Sequence, residues 1–128
     1  MGKPVYTLTI QPGVTLRFPA NTGMNIFGAL NAQGTSGAPI TFTGKTQTPG
    51  FWYGIDMYAT LTSPSILDYC VIEYGGANTW NANMILRSNA IIQNSTIRYS
   101  DGYGLLVHFP HYSSIRAECH YRYGQRRR

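Results

Sequence analysis

Apolar and polar residues alternate over short stretches along most of the chain. In Tyr6-Thr7-Leu8-Thr9-Ile10 and Val14-Thr15-Leu16-Arg17-Phe18 every second residue is apolar, the pattern of a strand with one face turned to a core. Gln11-Pro12-Gly13 between them predicts a tight turn. The alternation resumes at Ile26, Gly28, Leu30 and Ala32, then in Ile40-Thr41-Phe42-Thr43. Asn21-Thr22-Gly23, Gly34-Thr35-Ser36-Gly37 and Thr48-Pro49-Gly50 separate these runs. No segment carries an apolar stripe at helical spacing over three turns. The expectation is an all-β chain of short strands and tight turns.

These runs repeat. Ile66-Leu67-Asp68-Tyr69-Cys70-Val71-Ile72-Glu73-Tyr74 aligns 25 residues later with Ile91-Ile92-Gln93-Asn94-Ser95-Thr96-Ile97-Arg98-Tyr99. A further step of 24 reaches Ile115, Cys119, Tyr121 and Tyr123, with Arg116 where the earlier copies have Leu67 and Ile92. Val14-Thr15-Leu16 recurs as Ile40-Thr41-Phe42, and Gly28-Ala29-Leu30 approximately as Tyr53-Gly54-Ile55. A unit near 25 residues cannot bury its apolar face alone and must stack on copies of itself. With strands only, that means a parallel β-helix solenoid; 128 residues supply about five coils of roughly 25 residues. A jelly roll or other antiparallel sandwich ranks second.

Composition agrees. Fourteen Gly and seven Pro punctuate the chain, and the 43% hydrophobic content, with ten Tyr, five Phe and two Trp, is enough for a core. The formal net charge of +5 is unevenly placed: residues 116–128 hold five Arg against Glu118 alone, leaving the remainder nearly neutral. Residues 1–115 therefore read as one β-helix domain and 116–128 as a basic C-terminal tail or frayed last coil. A basic terminus on a near-neutral body argues against nucleic acid as the partner. No apolar run approaches the roughly 20 residues of a membrane span, and the first residues lack the apolar stretch of a signal peptide.

The runs Pro12-Gly13-Val14-Thr15-Leu16-Arg17-Phe18, Gly28-Ala29-Leu30-Asn31-Ala32-Gln33-Gly34-Thr35, Pro39-Ile40-Thr41-Phe42-Thr43 and Ser65-Ile66-Leu67-Asp68-Tyr69-Cys70-Val71-Ile72-Glu73-Tyr74 resemble right-handed parallel β-helix repeat proteins of the pectate-lyase-like superfamily. The resemblance covers roughly residues 5–107 and is specific for fold. It implies a right-handed solenoid and an extracellular or cell-surface setting. It leaves activity open, because the superfamily includes lyases, glycosidases, adhesins and surface proteins. The missing capping helices suggest a fragment of a longer solenoid.

In such a fold aligned residues stack one strand spacing apart, about 4.8 Å. Cys70 and Cys119 then lie two rungs apart, too far for a disulfide, and read as free thiols packed inside the coil. Ile72, Ile97 and Tyr121 form a core column, and Tyr74, Tyr99 and Tyr123 an aromatic stack. Glu73, Arg98 and Arg122 form a charge-complementary column facing solvent. Glu73, Arg98 and Asp101 are the catalytic candidates. A glycosidase needs two carboxyls about 5 to 9.5 Å apart, and Glu73 with Asp101 is the nearest match. Under the lyase alternative Arg98 would be the base, with calcium on Asp68, Glu73 or Asp101. No metal constellation is otherwise written among His108, His111, His120 and the cysteines, so no cofactor is expected. For sugar contact the candidates are Trp52, Trp80, Tyr74, Tyr99 and Tyr103, whose rings can pack on a pyranose face.

The function read from the sequence is a structural or carbohydrate-binding β-helix module of a secreted or cell-surface protein. Its expected partners are polysaccharide or cell-wall glycan, and further β-helix coils or a second copy stacking on its ends. A fragment of a polysaccharide lyase or glycoside hydrolase, and a solenoid assembly module without ligand, are the alternatives.

Overall fold

In the computed structural model the described residues are 6–58, 64–87 and 90–107, with the backbone of 120–121. They contain no helix. The first coil is β1 (Thr7–Ile10), β2 (Thr15–Phe18) and β3 (Gly23–Ile26), and the second is β4 (Ala29–Gln33), β5 (Ile40–Gly44) and β6 (Gly54–Met57). The third is β7 (Ser65–Asp68), β8 (Cys70–Glu73) and β9 (Ala82–Leu86), the fourth β10 (Ala90–Gln93), β11 (Thr96–Arg98) and β12 (Tyr103–Val107). A short β13 (His120–Tyr121) lies against β11. Each strand pairs in parallel with the strand one coil on, giving the sheets β1-β4-β7-β10, β2-β5-β8-β11-β13 and β3-β6-β9-β12. This is a parallel β-helix. Where about five coils were expected, the described residues form four, and β13 alone continues the middle sheet.

The alternation explains the packing, since inward positions of successive coils fall in columns. Ile10, Ala32, Leu67 and Ile92 make one; Leu16, Phe42, Ile72 and Ile97 a second; Met24, Ile55, Met84 and Leu105 a third. Leu67, Phe42, Ile72, Ile92 and Ile97 have no exposed surface, and each such side chain contributes about 1.5–3 kcal/mol. Cys70 is free and buried, and its backbone N–H donates to Ser95 Oγ in the coil above, so this column requires small side chains. Cys119, the other thiol, lies outside the described residues, as do Arg122, Tyr123 and nearly all of the basic terminus.

The register found between β7 and β10, β8 and β11, β11 and β13, and β2 and β5 is the one the repeat predicts. One alignment is corrected. Ala29 stacks on Thr7, not beneath Gly54, and Gly54 stacks on Gly23. The cause is unequal coil length: Thr7 to Ala29 is 22 residues, Ile40 to Cys70 is 30, and Asn31 to Ile66 is 35. A constant step of 25 fails wherever a corner is longer or shorter. The alternating stretch around Ile26–Leu30 also divides at a corner, because Gly28 passes so close to the Tyr6 carbonyl that a Cβ would strike it.

Corners between strands use left-handed residues. Tyr69 (φ 51°) and Asn94 (φ 50°) follow β7 and β10, while Tyr74 (φ 67°) and Tyr99 (φ 56°) follow β8 and β11. A single residue in this region reverses the backbone within one step, at a cost of roughly 1–2 kcal/mol for a side chain larger than Asn.

Candidate functional site

The charged column comes first. Glu73 continues β8 above Thr43 and below Arg98, one rung from each. Its Oε2 accepts from Arg98 Nε at 2.7 Å, and Oε1 accepts from Thr43 Oγ1 at 3.2 Å. The sequence reading had this column facing solvent; Glu73 is in fact only 6% exposed. Residues 50–53 run as a rung between the corner at residues 21–22 below and the corner at residues 74–75 above, joined to both by backbone hydrogen bonds. Phe51 packs where Gly44 leaves room, and Trp52 donates its indole N–H to the Glu73 carbonyl at 2.8 Å.

This arrangement holds charge and leaves little to do chemistry. The hydrogen bond to Glu73 raises the Arg98 pKa further, outweighing the opposing effect of burial, so its guanidinium is a poor proton acceptor. Both Glu73 oxygens are already engaged. Asp101 stands at the next corner, its N–H donating to Gly75 O at 3.1 Å, with its side chain over Gly50 and Gly76. No hydrogen bond or ion pair joins it to Glu73 or Arg98. Among the described residues no three His, Cys, Asp or Glu side chains gather as a metal site requires.

Two aromatic ladders run beside the charges. Tyr74 and Tyr99 stack at 5.2 Å, and the Arg98 guanidinium lies 5.1 Å from the Tyr99 centroid. Burial, followed by Glu73 and Tyr99, pushes the Tyr74 hydroxyl pKa up. In the neighbouring sheet Phe27 stacks on Tyr58 at 4.6 Å, and Arg87 lies 5.0 Å from the Tyr58 centroid. Asp56 fixes Arg87 through two bonds, of 2.7 and 3.0 Å.

Trp52, expected to contact sugar, is corrected to a core residue. It has no exposed surface and stacks on Phe18 at 4.2 Å with rings nearly parallel. Thr48-Pro49-Gly50 separates two strand runs, and the segment that follows it turns its tryptophan inward.

Three exposed aromatic residues, Tyr53, Trp80 and Tyr103, lie in or are hydrogen-bonded through their backbones to one turn, at residues 78–81. Asn78 Oδ1 accepts the N–H groups of Trp80 and Ala82, at 2.9 and 3.3 Å. Its amide nitrogen donates to the carbonyls of Ala82 and, in the coil below, Tyr53. Asn81 (φ 53°) offers its carbonyl to the Tyr103 N–H of the coil above, at 2.6 Å. Tyr103 pairs with Ala82, and the β6–β9 register puts Tyr53 on the other side of Ala82. Tyr53, Trp80 and Tyr103 are 44%, 38% and 53% exposed. Their backbones are fixed to one another, and the Tyr53 side chain lies over Gly23 of the first coil.

Trp80 and Tyr103 were candidates from the sequence; Tyr53 was not. Its signal was present but hidden, because the faulty alignment set Tyr53 over Gly28 when its column runs through Ala82 to Tyr103. Asn83 was also missed. It is fully buried, donates to the carbonyls of Ile72 (3.3 Å) and Arg98 (2.7 Å), and accepts the Gly75 N–H (2.6 Å). An amide inside the apolar run Ala82-Asn83-Met84-Ile85-Leu86 was the available sign. It ties the third and fourth coils together just behind the turn.

Comparison with family models, with curated proteins and with solved structures found no match for this chain.

Proposed function

We propose that this chain is a structural β-helix module that binds carbohydrate through Tyr53, Trp80 and Tyr103. The observation that carries the reading is the convergence of three exposed rings on one turn whose backbone is hydrogen-bonded across three coils. Preorganised aromatic faces lose little conformational freedom when a sugar packs on them. Thr79, exposed in the turn, supplies a hydroxyl for hydrogen bonding to a sugar. The resemblance of the repeats to the pectate-lyase-like superfamily supports a secreted or cell-surface setting, with polysaccharide or cell-wall glycan as partner. The lyase and hydrolase alternative draws no support from Glu73, Arg98 and Asp101, since the first two hold each other and the third stands apart. A glycan array tests the proposal: the chain is expected to retain a defined glycan and Trp80→Ala to lose it with the fold intact. Equal retention by Trp80→Ala, or no retention by either, would refute it.

A second reading rests on a separate observation. Leu8 and Val14, which begin two inward columns, are 45% and 38% exposed, whereas Leu30 and Ile40 above them are fully buried. β1, β2 and β3 are also the outermost strands of their sheets. Such an end suits a further β-helix coil or a second copy. Light scattering over a hundredfold concentration range is expected to detect association that Leu8→Lys weakens; a monomer at every concentration would contradict it.

A further inference from the structure

We infer that the first-coil end of the solenoid is a self-complementary face on which a second copy of this chain docks head to head, closing a two-fold dimer. This rests on the end-stacking reading above and names its partner. The inward side chains Leu8, Leu16 and Met24 stand under Leu30, Phe42 and Ile55, and Val14 precedes β2 as Ile40 opens β5. Leu30, Ile40 and Phe42 are fully buried, whereas Leu8 and Val14 are 45% and 38% exposed, and Leu16, Phe18 and Met24 are only partly covered. The end is a cross-section of the core.

A rim of backbone surrounds it. The carbonyls of Tyr6, Val14, Phe18 and Ile26 accept from Ala29, Thr41, Lys45 and Tyr58 of the second coil. Successive residues of a strand send their N–H and C=O groups to opposite neighbours. Thr7, Thr9, Thr15, Arg17 and Asn25 therefore point theirs away from the second coil, and among the described residues no strand lies there to receive them. Such edges are ordinarily blunted by charge, proline or a bulge. Here Arg17 is the sole charged residue from 6 to 28, and Pro12 and Pro19 fall outside β1, β2 and β3.

The opposite end does not match this face. Among the described residues β13 carries the middle sheet one strand beyond β10 and β12, so the level first coil of another copy cannot meet all three sheets there. The complement that remains within the chain is the same face on a second copy. A two-fold axis across it reverses strand direction, so the rims meet as antiparallel ladders while the apolar floors close on each other.

Light scattering and residue-resolved amide exchange on the full chain, each over about a hundredfold range of concentration, test the inference. The mass is expected to stop at twice that of the chain. The amides of Thr7, Thr9, Thr15, Arg17 and Asn25 should exchange freely when dilute and slow about tenfold or more on association, with Leu8 and Leu16 protected throughout. Thr15→Pro removes a rim donor and no bond to the second coil, so association should weaken about tenfold while the circular dichroism of the dilute chain is unchanged. Thr9→Pro repeats the test on β1 and keeps it decisive if Thr15→Pro fails to fold. Association that grows beyond two chains, or that leaves the rim amides unprotected, would overturn the inference and leave the end-stacking reading standing. A monomer at every concentration would overturn both.

Discussion

Tyr74 with Tyr99, and Tyr53 with Trp80 and Tyr103, are two groups of aromatic residues joined to neighbouring coils in different ways. Tyr74 and Tyr99 stack on each other at the corner after β8 and β11, with Arg98 beside the upper ring. Tyr53, Trp80 and Tyr103 are about as exposed as Tyr99, and the turn at 78–81 hydrogen-bonds to the backbone of the coils that carry them. Exposure alone therefore does not say what a ring does. In the ladder the rings stabilise adjacent coils; at the turn the coils hold the rings in place.

The largest effect expected from this contrast separates the two tryptophans. Trp52→Ala removes a fully buried ring and the donor to the Glu73 carbonyl, and should cost about 3–5 kcal/mol in chemical denaturation. Trp80→Ala should change stability by no more than about 0.5 kcal/mol. A comparable loss from both would erase the distinction between interior and platform. Next in size is Asn83→Ala, which deprives a buried N–H and two carbonyls of their partner. A loss of about 2–3 kcal/mol is expected, with binding at the turn weakened as the coils behind it loosen; urea unfolding and glycan titration of the same sample measure the two.

Alkali probes the interior in a different way. Burial raises the Cys70 thiol from 9.0 to about 12. The folded chain therefore keeps a proton that the unfolded chain releases above pH 9. The corresponding stability is fully present below pH 9 and falls as pH rises from there towards 12. The decline should be shallower in Cys70→Ala, and iodoacetamide at pH 8 should modify Cys70 only after unfolding, as peptide mass spectrometry reports. Smallest is the effect of Tyr99→Asn. Relief of a left-handed tyrosine, about 1 kcal/mol, offsets a lost stack of about 0.5–1.5 kcal/mol. Thermal melting should move little and glycan binding at the turn not at all.

Much of the architecture was legible because stacking repeats it. The copies at 66–74 and 91–99 carry matching residues, and their columns appear with the expected register. Corner length was not legible. Nothing local announces that residues 50–53 run as a rung between the corners at 21–22 and 74–75 with Trp52 turned into the core. Tyr53 was lost to the same cause, since a constant step placed it over the wrong coil. The Tyr74 and Tyr99 stack could be read from spacing alone because no insertion falls between those two coils.

The most direct test of the difference between the two ring environments is a nitrogen–proton correlation spectrum followed during titration with the glycan that the array retains. Two indole resonances are present to watch. The expected result is a saturable shift of the Trp80 indole while that of Trp52, held to Glu73 inside the coil, stays in place. An unmoved Trp80 resonance at saturating sugar, or equal movement of both, would contradict the assignment of the turn as a platform distinct from the packed rings.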